Sequence, residues 1–328
     1  MAWLIFALAG AAILVAGPVL AKSADVIAER THLGRVWVGA ILVAGVTSLP
    51  ELTIDSAAVL RDAPDLATGD LFGSNMANMA VLAIVALAHR RARVIQREAL
   101  GIALTASVAI VLTGLAVLFI VARLEPDIAG SFGLGSLALL AAGVAGLALM
   151  PGYREVVGEV EEAAARTAPR SLGRAALVFA GAAVAVFAAA PFLVEAAQDI
   201  AEQTGLAETF IGVAGLALVT SLPELATSYA AVRMGALDLA VGNLYGSNAI
   251  NMSILVWLDA LYTKAPLLET ISISNAVAGL VAMLLMMVGL TDMVLRAERR
   301  RFPVDPAATL ILVGYLLGLL LVWSVSAR

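Results

Sequence analysis

The sequence predicts an all-α membrane protein of ten transmembrane helices, arranged as two inverted five-helix repeats with both termini extracellular. Three observations carry this expectation. Of the 328 residues, 62% are hydrophobic and only 14% are charged, against about 45–50% and about 25% in a soluble domain. The apolar residues gather into continuous runs of spanning length. The second half of the chain, finally, repeats the first.

Such a composition excludes an ordinary soluble enzyme, a nucleic-acid binder and a disordered chain. Aromatic residues are few, and Ala, Leu, Val and Gly dominate, which suits helices packed closely in a lipid bilayer. The net charge of −5 is spread over loops and points to no nucleic acid partner. Without cysteine there is no disulfide, thiolate metal site or iron–sulfur cluster. His32 and His89 lie in polar loop sequence, which argues against a histidine metal site. No cofactor is expected.

A spanning helix needs roughly 20 mostly apolar residues. Runs of that kind fall at approximately 2–21, 37–60, 67–88, 98–121, 129–150, 174–197, 210–233, 239–261, 270–295 and 306–326. They are continuous rather than alternating, which excludes a transmembrane β-barrel. No Lys or Arg precedes the first run, unlike a secretory signal. Loop charge then sets orientation. Alternate loops beginning with Lys22, Arg30 and Arg35 hold 16 of the 20 basic residues, including Arg90–Arg97 and Arg296–Arg301. The opposite side holds only Arg61, Arg123, Lys264 and Arg328. The excess of Lys and Arg marks the cytoplasmic face, as expected for a multi-pass protein of the cell membrane.

Shifting the chain by 173 residues aligns it with itself: residues 44–79 match 217–252 at 22 of 36 positions without a gap. Thr47-Ser-Leu-Pro-Glu51 falls on Thr220-Ser-Leu-Pro-Glu224, Gly73-Ser-Asn75 on Gly246-Ser-Asn248, and Pro18 on Pro191. The match at Pro18 places the first helix inside the repeat. Each unit holds five spans, and an odd number makes the second copy enter the bilayer from the opposite side. The expected organisation is a first repeat over 1–150, a cytoplasmic linker over 151–172 and a second, inverted repeat over 173–328. Inverted repeats are typical of secondary transporters, whose binding site lies near the midplane where the copies meet.

Glu51 and Glu224 sit in the middle of apolar runs, where an ionised carboxylate is costly unless paired or hydrated. Neither run carries a Lys or Arg at similar depth, so a bound cation is the simplest source of positive charge. The alternative is a protonated Glu bonded to a backbone carbonyl, which the duplicated, inverted placement disfavours. Pro50 and Pro223 each remove a backbone donor, and this is expected to free carbonyls around Ala44, Thr47 and Ser48, and around Ala217, Thr220 and Ser221. Freed carbonyls are tolerated in a membrane where they line a cavity or bind an ion. Ser74, Asn78, Ser247 and Asn251 add neutral oxygens, while Asn75 and Asn248 face elsewhere on the helical wheel and read as inter-helix hydrogen-bonding groups. Asp70 reads as a helix cap near the membrane surface, with a residue of the ion path as the alternative, and Asp55 either lines an outer vestibule or faces water. Every donor is a hard oxygen. That set suits Ca²⁺ or Na⁺ and disfavours soft metals.

These paired motifs resemble the alpha repeats of the cation/calcium antiporter superfamily and are similar to those of prokaryotic sodium/calcium exchangers. The resemblance covers nearly the whole chain. It implies that Glu51 and Glu224 are the central Ca²⁺ ligands, also shared with Na⁺, and that Thr47 and Thr220 help through their backbone carbonyls. Ser48, Ser74, Ser221 and Ser247 would line flanking Na⁺ sites, with the carbonyls of Ala44 and Ala217 at the two ends and Asn78 and Asn251 at the remaining polar positions. The first and sixth helices would be sliding gates. The proton-coupled branch carries a Gly-Asn-Ala-x-Glu pattern that neither copy has. This chain departs from the family in three places: Val46 and Val219 where Gly is common before the Thr, Asn251 where one branch has Asp, and Asp70 against the more usual Asn243.

The expected function is a secondary active antiporter, not an enzyme, that exchanges Ca²⁺ for Na⁺ by alternating access. Its partners would be those two ions and the lipid bilayer, and it would function as a monomer. Proton-coupled exchange, or exchange of Mg²⁺ or Mn²⁺, is the alternative within transporters, and a passive cation channel is the alternative class.

Overall fold

The computed structural model describes residues 1–31, 48–88, 96–123, 127–129, 132–148, 171–233, 237–295 and 305–327. Ala44, Val46 and Thr47, the basic groups at Arg90–Arg93 and Arg296–Arg301, both histidines and nearly all of the linker lie outside the described residues.

Uninterrupted apolar sequence gives helix almost throughout, because in lipid every backbone polar group must be satisfied within the protein. In chain order the helices are α1 (Ala2–Thr31), α2 (Leu49–Leu60), α3 (Pro64–Ala88), α4 (Gln96–Ala122), α5 (Leu134–Ala148) and α6 (Leu172–Thr204). The second half holds α7 (Glu208–Ile211), a π-helical turn (Gly212–Leu216), α8 (Ala217–Thr220), α9 (Leu222–Arg233), α10 (Leu237–Leu261), α11 (Leu267–Thr270), α12 (Ile273–Leu295) and α13 (Pro306–Ser326). Among the described residues, six stretches are long and apolar enough to cross a membrane: Pro64–Leu87, Ile102–Ala122, Leu172–Thr204, Glu208–Tyr229, Ile273–Val294 and Pro306–Ser326.

Local chemistry sets the helix ends. Pro50 occupies the first turn of α2, where its missing N–H costs nothing. Gly205 closes α6 in the left-handed conformation, φ 69°. Asp305 caps α13 by accepting from the Ala308 N–H. The fifth run starts later than the sequence suggests. Asp127–Ala129 and Phe132–Gly133 form a short antiparallel pair, and helix begins only at Leu134. Buried Asp259 anchors that corner: Oδ2 accepts from the Gly133 N–H at 2.9 Å and Oδ1 from the Leu267 N–H at 2.6 Å.

Helices α1 and α6 lie along one another, touching the rest through α2, α7, the π turn, α8 and α9. Helices α2, α3, α8, α9 and α10 form the centre, while α4, α12 and α13 flank α3 or α10 on the other side. Large apolar side chains such as Leu177, Phe187, Leu316 and Trp323 point outward, whereas Glu51, Asp55, Asp70, Asn75, Asn78, Glu224, Asn248 and Asn251 are buried. Apolar outside and polar within is the arrangement expected in lipid.

Two glycines bring α3 against the π turn. A Cβ on Gly73 would stand 2.6 Å from the Val213 Cα and 2.8 Å from the Ala217 Cβ. One on Gly212 would collide with the Leu66 carbonyl oxygen. Only glycine lets these backbones approach so closely, and that approach places Thr220 against α3.

Candidate ion-binding centre

In the second copy the motif breaks the helix: α8 ends at Thr220, Ser221 is a turn residue, and α9 starts with Leu222-Pro-Glu224. In the first copy Ser48 is likewise a turn residue and α2 starts at Leu49. Both arrangements put Glu51 and Glu224 in the first turn of their helices. Both are buried, at 1% and 0% exposure. Glu51 lies close enough to feel the charges of Glu224 and Asp70 directly, and the Thr220 hydroxyl is within hydrogen-bonding reach of it. No donor reaches Glu51 Oε2. The Ser247 hydroxyl donates to Glu224 Oε1 at 3.5 Å.

The amides tie the repeats together in a crossed pattern. Asn78 Nδ2 donates to Asn248 Oδ1 at 2.9 Å, and Asn251 Nδ2 donates to Asn75 Oδ1 at 3.1 Å. The 173-residue offset exchanges these two bonds. Asn75 and Asn248 therefore act as inter-helix hydrogen-bonding groups, as the helical wheel suggests. Asn78 and Asn251 spend their N–H groups in the same lattice, and their Oδ1 atoms are left buried without a donor. Each faces the centre as a fixed acceptor, the property a hard cation requires.

Other expected positions fare differently. Ser48, Ser74, Ser221 and Ser247 are all buried, as are Thr220 and Ala217. The Ala217 carbonyl is not freed by the proline: it accepts the Ser221 N–H at 3.1 Å and the Thr220 hydroxyl at 3.5 Å. The residue four before Pro223 is Val219, so the missing N–H falls there instead. Ala217 can bind an ion only through its second lone pair.

Asp70 requires a correction. It stands seven residues into α3, fully buried, and it is not a cap near the surface; the acidic residue of that first turn is Asp65. Asp70 Oδ1 accepts from the Thr220 hydroxyl at 3.1 Å. That hydroxyl also lies 3.0 Å from Ser74 Oγ. The Thr220 proton is thus contested by Asp70, Glu51 and the Ala217 carbonyl, while in the Ser74–Thr220 pair either hydroxyl can donate. Asp55 does not face water either: its exposure is 0%, and its carboxyl meets that of Asp70. The spacing held the clue, since Glu51 and Asp55, like Asp70, Ser74 and Asn78, recur every four residues and so share one helix face. Among the described residues no three acidic or histidine side chains converge tightly enough to hold one metal ion together. The hydroxyl, amide and carbonyl oxygens around the carboxylates are further hard donors.

Comparison with known proteins gives the family and the fold. The sequence model of the family described as "Sodium/calcium exchanger protein" matches residues 1–150 and 174–328. Inner membrane protein YrbG of Escherichia coli (strain K12) is 31% identical over 252 residues, covering 74% of each chain. The H⁺/Ca²⁺ exchanger CAX superposes with a TM-score of 0.67 at 14% identity, over 98% of this chain and 87% of its own. The sodium-calcium exchanger NCX_Mj, in crystals soaked with zero Na⁺ and Ca²⁺, gives 0.60 at 20% identity, over 96% and 97%. At such identities the two structures speak for the fold alone.

Proposed function

Because the chain belongs to the sodium/calcium exchanger protein family, we propose that it is a secondary active antiporter that carries Ca²⁺ in one direction and Na⁺ in the other. Ten spans cross the cell membrane as two inverted repeats, with both termini outside. Glu51 and Glu224 hold Ca²⁺ between the repeats, and the donor-free Oδ1 atoms of Asn78 and Asn251 complete the shell. Ser48, Ser74, Ser221 and Ser247, with the carbonyls of Thr47, Thr220, Ala44 and Ala217, form the flanking positions that Na⁺ takes when Ca²⁺ leaves. Competition of the two ions for one set of oxygens couples their movement. Alternating access follows when α1 and α6, which lie against one another and over the centre, slide past it. The protein works as a monomer and needs no cofactor.

The observation that carries this reading is the crossed Asn lattice, which brings α3 and α10 together with two buried carboxylates and two unpaired amide oxygens between them. The test is transport. Proteoliposomes loaded with Na⁺ and diluted into Na⁺-free medium should accumulate Ca²⁺. Uptake driven by a pH gradient instead would identify a proton-coupled exchanger. Ca²⁺ flux indifferent to any counter-ion would identify a channel.

A further inference from the structure

The two repeats differ at one buried contact. In the second, Ser228 and Asn243 meet, with Asn243 Nδ2 donating to Ser228 Oγ at 3.5 Å. The 173-residue offset places Asp55 and Asp70 at these positions in the first repeat. The contact is kept, but two neutral groups become two carboxyls, both at 0% exposure.

Their oxygens are poorly served by the protein. Among the described residues, neither oxygen of Asp55 nor Oδ2 of Asp70 has a donor. Among the described residues no salt bridge reaches either side chain. The Thr220 hydroxyl donates to Asp70 Oδ1 at 3.1 Å, which holds that carboxyl in place beside Asp55. Two carboxylates in contact and out of water require a compensating positive charge. Three donor-free oxygens with the nearby Ser74 hydroxyl make a partial shell of hard ligands. The pair lies about one helical turn, about 5–6 Å, from Glu51 and Ser74 toward the loop carrying Arg61.

We propose that Asp55 and Asp70 form a second cation-binding position, separate from the Glu51–Glu224 centre and present in the first repeat alone, which takes a hard, oxygen-seeking cation. The proposal rests on the antiporter reading for its transport role. It makes the two mouths of the protein unequal: an ion approaching from the Arg61 side meets a charged station before the centre, and one from the other side does not.

The test gives the first repeat the side chains of the second, in the double variant D55S/D70N, with Asp55→Asn as the isosteric single change. Purified full-length protein is titrated with CaCl₂ by calorimetry and with ²²Na⁺ by equilibrium binding. The variants should bind one cation fewer per chain, of whichever ion occupies the pair, while the tighter Ca²⁺ event at the centre persists. Unchanged stoichiometry and affinity for both ions would overturn the proposal. So would an unchanged ion count with one proton fewer released on Ca²⁺ binding, measured in buffers of different ionisation enthalpy, because the pair would then hold a proton. Should the variants fail to fold, wild-type crystals soaked in Sr²⁺ or Tl⁺ decide: anomalous density between the two carboxyls supports the site, and density confined to Glu51 and Glu224 refutes it. Failure of the antiporter reading shows separately, as wild-type vesicles without gradient-driven Ca²⁺ uptake.

Discussion

Replacing Glu51 by Gln gives the sharpest test of the centre. The carboxyl is 1% exposed, lies beside the charges of Glu224 and Asp70, and has no donor on Oε2. Glu51→Gln keeps the shape and removes one of the two charges assigned to Ca²⁺. Breaking a buried charge pair costs about 3–5 kcal/mol, equivalent to about 150- to 5,000-fold in affinity. The Gln amide oxygen still offers the ion a neutral donor beside Glu224, which places the expected loss toward the low end, about 10²-fold. Folding should not suffer. The apo protein no longer buries that carboxylate, and the new amide can donate to Asp70 or Glu224, so the detergent-solubilised variant should melt no lower than wild type. Calorimetric titration with Ca²⁺ reads the Kd, and vesicle uptake reads transport. A folded variant that binds Ca²⁺ within about threefold of wild type would refute the assignment.

Four further outcomes follow from the packing. Asn78→Ala removes the donor to Asn248 Oδ1 and leaves that buried oxygen unpaired; it should cost about 1–3 kcal/mol, seen as a lower melting temperature alongside weaker Ca²⁺ binding. Gly73→Ala forces a methyl within 2.6 Å of the Val213 Cα and should destabilise by about 1–3 kcal/mol. Gly181→Ala, whose added Cβ meets nothing within 4 Å, should leave thermal unfolding unchanged or raise its midpoint. Asp259→Ala strips two backbone N–H groups of their acceptor and should lower stability by about 2–5 kcal/mol without altering the Ca²⁺ Kd, since it lies away from the centre.

Although the full interruption at Ser221 was not expected, the disturbance at Pro223 was legible because proline acts locally on its own helix. The start of the fifth helix was not. Phe132 and Gly133 read as apolar continuation, and the strand pair there is fixed by Asp259, 126 residues away. The π turn before Ala217 was equally hidden, because it depends on the close approach of α3 at Gly69 and Gly73.

The sequence by itself determined that the chain lives in lipid, that it is duplicated, and which carboxylates, amides and hydroxyls recur at one offset. Those properties follow from composition and from spacing along a single helix. Only the tertiary structure decided what each group faces: that Asn78 and Asn251 donate across the repeats, that the Ala217 carbonyl keeps its N–H, and that Asp55 and Asp70 are interior neighbours. A helical period tells which residues share a face. The partner of that face is chosen by how helices some 170 residues apart cross, and that crossing is set by glycine contacts and packing that no local pattern records.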